Sequence, residues 1–75
     1  MKKSRLLEVR CYNGMLRFVN NDLTRIRDAE RVSVIAESIR PGGSDPQPQL
    51  KNSVNALTAS IGLIYNAIEK LDSIP

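Results

Sequence analysis

The sequence has no histidine, no tryptophan and a single cysteine, Cys11. Without histidine it lacks the commonest general base. One cysteine excludes an internal disulfide, and with no histidine it also excludes a Cys/His zinc site. Cys11 has basic neighbours, but a small, half-buried apolar role is far commoner for such a residue than an activated thiolate. The eight carboxylates are scattered among arginines. We therefore expect no enzyme, no bound metal and no cofactor.

Long hydrophobic runs and aromatic residues are also scarce. The sequence therefore predicts neither a transmembrane helix nor a cleaved signal peptide. Lone-cysteine usage fits a reducing, cytoplasmic setting. Aromatic residues make up 4% of the 75 residues, so any core is aliphatic, which suits packed helices. A chain this short forms one domain at most, residues 1–75, and a partner is expected to bury part of its apolar surface.

The clearest pattern is an apolar stripe in the C-terminal third. Its members are separated alternately by four and three residues, the repeat of a helix with one face committed to a partner helix. A shorter stripe with the same spacing runs from Tyr12 to Ile26, with Asn20 placed on the polar side. The C-terminal stripe comprises Leu50, Val54, Leu57, Ile61, Ile64, Ile68 and Leu71. The predicted hairpin core is Leu16, Val19, Leu23, Ile26, Leu57, Ile61, Ile64 and Ile68.

The region joining the stripes reads as a turn. Pro41 disfavours helical backbone at Arg40, Gly42-Gly43 permits left-handed conformations, and Asp45 is a candidate N-cap. We predict an all-α fold, an antiparallel two-helix hairpin resembling a coiled coil. Helix 1 covers about 4–39, the turn 40–45 and helix 2 about 46–73.

Helix 1 leaves several alternatives open. Residues 1–13 lack a clean period and read as a frayed or separately docked short helix. Gly14 is a candidate break. The apolar phase drifts near 28–31, which indicates a bend, local overwinding or a different contact there. The β-branched residues Val32, Val34 and Ile35 also suit a short strand, although their context favours helix.

Helix 2 has more apolar surface than one partner helix covers. One interpretation is a wider core that includes residues 1–13. The favoured interpretation is a protein-binding surface with Leu63 as its anchor. The predicted partner-binding residues lie beside the stripe, with Tyr65 on its other flank: Ala56, Ser60, Leu63, Tyr65 and Ala67.

Helix 1 is rich in arginine, which raises a nucleic-acid alternative. Interleaved acidic residues dilute the positive charge, so a solvated surface is favoured over a dimeric hairpin that binds RNA or DNA. The arginines concerned are Arg10, Arg17, Arg25, Arg27 and Arg31.

Residues 40–65 resemble a known family. Arg40, Gly42-Gly43 and Asp45 lie in the turn, followed by the pattern Ala-Leu-x-x-Ser-Ile-x-Leu-Ile-Tyr over 56–65. The segment is similar to the small co-chaperone subunits of type III secretion needle proteins, which are short helical hairpins. The resemblance implies a non-enzymatic bacterial cytoplasmic protein. It would bind a tetratricopeptide-like chaperone, stabilise it, and help keep the needle subunit unpolymerised before export.

Two further alternatives remain open at this point. The chain could instead be the needle or inner-rod subunit, although the absence of tryptophan argues against the needle type. A free hairpin of this size could also self-associate through its apolar surface. A small-molecule substrate is not expected under any of these interpretations.

Overall fold

The computed structural model describes residues 1–39 and 48–75, which form two packed α-helices. Helix α1 spans Lys3–Ile39 and helix α2 spans Pro48–Asp72. The described residues contain no strand. This confirms the all-α two-helix hairpin. The predicted turn at 40–45, with its Asp45 cap, lies outside the described residues.

Helix α1 is continuous over 37 residues. It has no break at Gly14 or at 28–31, and residues 3–13 are part of it rather than a separate segment. An isolated glycine disfavours helix by about 1 kcal/mol relative to alanine, which a long helix tolerates. The β-branched residues near Val34 are helical too. Two serine hydroxyls there donate to backbone carbonyls four residues earlier, Ser33 to Ala29 and Ser38 to Val34.

The seam between the helices uses the predicted stripe on α2. All seven stripe residues are buried or half-buried. Ile68, at 3% exposure, is the only hydrophobic residue of the described chain that is buried rather than half-buried or exposed.

The seam on α1 differs from the predicted stripe. Val19 and Ile26 are 47% and 41% exposed, so their assignment to the core is wrong. Tyr12, the first residue of the predicted stripe, is 63% exposed. Apart from Thr24, the buried and half-buried residues of α1 follow their own alternation of three and four, and half of these ten are polar or charged. They are Leu6, Val9, Asn13, Leu16, Asn20, Leu23, Arg27, Glu30, Val34 and Glu37.

Cross-helix contacts fix how α1 and α2 are aligned. Asn13 Nδ2 donates to Asp72 Oδ1, and Asn20 Nδ2 donates to the carbonyl of Ile61 at 3.3 Å. Towards the other end, Val34 and Val54 line the same groove. Residues at the same height along the rod therefore have numbers that add to roughly 85, as expected for antiparallel helices in one register.

The molecule is a thin rod. Its Cα atoms extend 62 × 14 × 14 Å, with a radius of gyration of 17.5 Å. A compact chain of this length would have a radius of about 11 Å. Within the described ranges, neither helix combines the length and apolar character needed to cross a bilayer. Such a shape leaves most side chains on the surface.

Candidate protein-binding face

The seam divides the surface of the hairpin into two flanks of different chemistry. The seam residues occupy the a and d positions of a heptad repeat. On each helix, the residue directly after a d position (Leu16, Ile64, Leu71) lies on one flank of the seam. The residue directly before an a position (Asn20, Ile68) lies on the other flank. We call the first the polar flank and the second, with the positions next to it, the apolar face.

The polar flank is held together by an ion pair. The Arg17 guanidinium donates to Asp72 Oδ2, while Asn13 occupies the other carboxylate oxygen. Tyr65 lines a shallow groove here with Arg17 and Asn20. Both members of the ion pair are about half exposed. Exposed ion pairs contribute at most about 1 kcal/mol to the stability of a fold. The main effect of the Arg17–Asp72 pair is therefore to orient the end of α2.

The apolar face joins residues from both helices. On α1, Val19 and Ile26 directly precede the seam residues Asn20 and Arg27. On α2, Ser60 and Ala67 directly precede Ile61 and Ile68, so all four flank the seam on the side away from Arg17. Around them lies an outer row of more exposed side chains. The apolar and small residues of the face are Tyr12, Met15, Val19 and Ile26 from α1, and Ala56, Ser60, Leu63 and Ala67 from α2, and the charged residues Asp22 and Lys70 lie among them in the outer row.

Side chains on this face are open to solvent. Leu63 is 70% exposed, Tyr12 63% and Met15 55%. The four α2 residues are all exposed, so the hairpin does not use them in a wider core. Single exposed hydrophobic residues are ordinary, but a contiguous group on one side of a molecule is typical of a protein-binding surface.

The predicted partner-binding residues do not form one surface. Ala56, Ser60, Leu63 and Ala67 lie together on the apolar face. Tyr65 lies on the polar flank, across the seam, because it directly follows Ile64. The α1 half of the apolar face was missed, since Val19 and Ile26 were predicted to lie in the core. The unbroken three-four alternation that begins at Leu6 could have revealed them.

Asparagine side chains occupy the centre of the α1 seam. Asn13 is 5% exposed and Asn20 8% exposed, which corrects the prediction that Asn20 faces solvent. Each donates through Nδ2, but neither Oδ1 has a hydrogen-bond partner within the described chain. A single polar residue at such a position in a coiled coil fixes register at the expense of stability.

The arginines of α1 are partly neutralised within the hairpin. Arg17 pairs with Asp72, Arg25 with Asp22 at 3.7 Å, and Arg27 with Asp28 at 3.1 Å. The Arg27 side chain is only 19% exposed because it lies at the seam. This reduces the free positive charge that the nucleic-acid alternative requires. Among the described residues, no cluster of cysteine and carboxylate side chains could hold a metal ion.

Comparison with known proteins gives no relative for this chain. No family model matches it, and neither the curated proteins nor the solved structures yield a match. The function proposed below therefore depends on the geometry of the hairpin and on the resemblance of residues 40–65.

Proposed function

We propose that the chain is a non-enzymatic co-chaperone of a type III secretion system. In this role it binds a tetratricopeptide-like chaperone through the apolar face and stabilises it. Through that chaperone it helps to keep the needle subunit unpolymerised in the bacterial cytoplasm before export.

The observation that carries the proposal is the exposed apolar face. It lies along a thin rod, and a groove between helices of a partner could accept such a surface. Leu63 is the most exposed large hydrophobic residue of the face at 70%. Ser60 and Ala67, one turn to either side, are small enough to let a partner helix approach closely. Binding hot spots usually consist of an anchor side chain surrounded by contacts that contribute little binding energy.

The test is co-purification of the tagged chain with a co-expressed tetratricopeptide-like chaperone of a type III secretion system. We expect Leu63→Asp to reduce recovery of the chaperone at least tenfold, because it buries an unpaired carboxylate in the interface. Leu7→Asp is the matched control, since Leu7 is 56% exposed and lies away from the apolar face. Circular dichroism should show both variants to be as helical as the parent. Undiminished recovery with Leu63→Asp would contradict the assigned interface.

A needle or inner-rod subunit is the alternative that the same geometry allows, because an apolar face on a rod also suits polymerisation. Electron microscopy of the purified chain separates the two roles. Filaments would favour the subunit, whereas discrete particles favour the co-chaperone.

A further inference from the structure

We infer that two copies of the free chain pack their apolar faces together into a twofold-symmetric four-helix bundle. The twofold axis runs parallel to the helices and places α1 of each copy over α2 of the other. This inference does not depend on the proposed chaperone, because it follows from the surface of the hairpin alone.

The first argument is the amount of surface. The chain exposes 5792 Å², whereas a compact protein of 8.4 kDa would expose about 4,600 Å². The excess is thus about 1,200 Å². A stable protein interface needs about 800 Å² from each partner. The excess of the whole chain over a compact protein is therefore larger than the area that each partner contributes to a stable interface.

The second argument is self-complementary shape. On the apolar face, α1 contributes bulky side chains such as Met15, Val19 and Ile26. Except for Leu63, α2 contributes small ones, Ala56, Ser60 and Ala67. Placing α1 over α2 of a second copy sets bulky residues against small ones in both halves of the interface. Pairing α1 with α1 would instead set bulky against bulky.

The heights of the residues agree with this arrangement. Rotation about an axis parallel to the helices leaves each residue at its own height along the rod. Because the numbers of residues at one height add to roughly 85, Val19 lies within about one residue of the height of Ala67 in the same hairpin. In the bundle Val19 therefore also meets Ala67 of the second copy, without any shift of register.

The polar flank is the less favourable surface for self-pairing. It carries Arg17, Arg31 and Lys51, while its acidic residue Asp72 already pairs with Arg17. Self-pairing there would bring like charges together, which opposes association. The outer row of the apolar face carries Asp22 and Lys70, whose charges are of opposite sign and do not add up to a like-charged surface. The charge distribution therefore favours the apolar face.

The inference is tested by measuring the mass of the purified full chain by sedimentation equilibrium from low to high micromolar concentration. We expect a reversible shift from 8.4 kDa towards twice that mass. Val19→Glu and Ala67→Lys should each remain monomeric over this range. Ile35→Glu is the control, since Ile35 is 53% exposed and lies off the face, and it should dimerise like the parent.

Mixing the variants tests the packing of α1 over α2. An equimolar mixture of Val19→Glu and Ala67→Lys should regain dimer, because the new carboxylate lies against the new ammonium group of the other copy. Circular dichroism of each variant should match the parent.

A parent chain that stays monomeric, a dimer that survives both substitutions, or a mixture that stays monomeric would overturn the proposed bundle. None of these results alters the co-purification test with the chaperone. The two proposals can therefore fail separately.

Discussion

Asn13 and Asn20 place amide groups in a seam whose other wall is built from aliphatic side chains of α2. Their Nδ2 atoms find acceptors, on Asp72 and on the carbonyl of Ile61. Their Oδ1 atoms are buried without a partner in the described structure. A buried, unsatisfied acceptor destabilises a fold by about 1–3 kcal/mol. These two residues thus lower the stability of the hairpin and, at the same time, fix the alignment of the helices.

Replacing Asn20 with leucine should therefore stabilise the hairpin. We expect Asn20→Leu to raise the free energy of unfolding by about 1 kcal/mol, since removal of the unpaired acceptor outweighs the lost bond to Ile61. Urea denaturation followed by circular dichroism measures the change. Asn21→Leu is the neighbouring control, and because Asn21 is exposed it should alter stability by less than about 0.5 kcal/mol. A loss of stability in Asn20→Leu would show that Oδ1 has a partner.

At this scale the sequence predicts one helix better than the other. The stripe of α2 consists only of aliphatic residues, so its spacing is unambiguous. On α1, Leu16 and Leu23 belong equally to two stripes with the same spacing. One passes through Val19 and Ile26, the other through Asn20 and Arg27. Hydrophobicity favours the first, but the hairpin buries the second, so the pattern of apolar residues alone leads to the exposed flank.

At the scale of the elements, the helical conformation of α1 is maintained by the length of the helix rather than by the helix propensity of each residue. Gly14 lies in the first half of α1. Apart from neighbouring backbone of the same helix, no atom lies within 4 Å of the position that a Cβ atom would take there. Gly62 in α2 is equally open. Neither glycine is required for close packing within the hairpin, so each only weakens its helix.

Alanine at these positions should stabilise the protein. Gly14→Ala and Gly62→Ala should each raise the free energy of unfolding by about 1 kcal/mol, the difference in helix propensity between the two residues. The reverse change at an exposed α2 position, Ala59→Gly, should lower it by a similar amount. Thermal and urea denaturation of the three variants provide the comparison. Destabilisation by Gly14→Ala would mean that another surface approaches α1 closely at that point.

The elements themselves follow from sequence with fair accuracy. Helix 2 was expected over about 46–73 and α2 is observed at Pro48–Asp72. The candidate break at Gly14 and the bend at 28–31 were inferred from weak local propensity and phase drift. Neither feature interrupts the helix. The α1 seam keeps one continuous heptad repeat from Leu6 to Glu37, so packing against α2 stabilises the helix on both sides of the glycine.

At the scale of the whole molecule, little surface is removed from water. Ile68 alone among the hydrophobic residues of the described chain is buried, and large side chains such as Leu63 remain mostly exposed. The stability of an isolated hairpin is therefore marginal, as expected for a chain below about 80 residues without a disulfide. The candidate face could be anticipated from the surplus of apolar residues on α2. Its α1 half is harder to anticipate, because hydrophobicity favours the stripe through Val19 and Ile26, and only the alternation that begins at Leu6 points to the other stripe.

The small buried area should appear in denaturation by urea. We expect a low m-value, about 1 kcal/mol/M or less, for dilute monomer, because this slope scales with the surface exposed on unfolding. The monomeric Ala67→Lys variant is the reference for the parent chain. The parent should show a steeper slope than this variant at high concentration, where the bundle buries more surface. An equally steep transition in the dilute monomer would mean that the hairpin is packed more tightly than its exposed side chains indicate.

The rod shape also governs how the molecule moves through solution. Its long dimension of 62 Å is more than four times its width of 14 Å, so its friction exceeds that of a sphere of equal mass. A monomer will elute early from a gel-filtration column, at the volume of a larger globular protein. Side-by-side pairing doubles the mass while adding no length. The change in elution volume between monomer and dimer will therefore be small, and shape-independent mass measurements are required to count the copies.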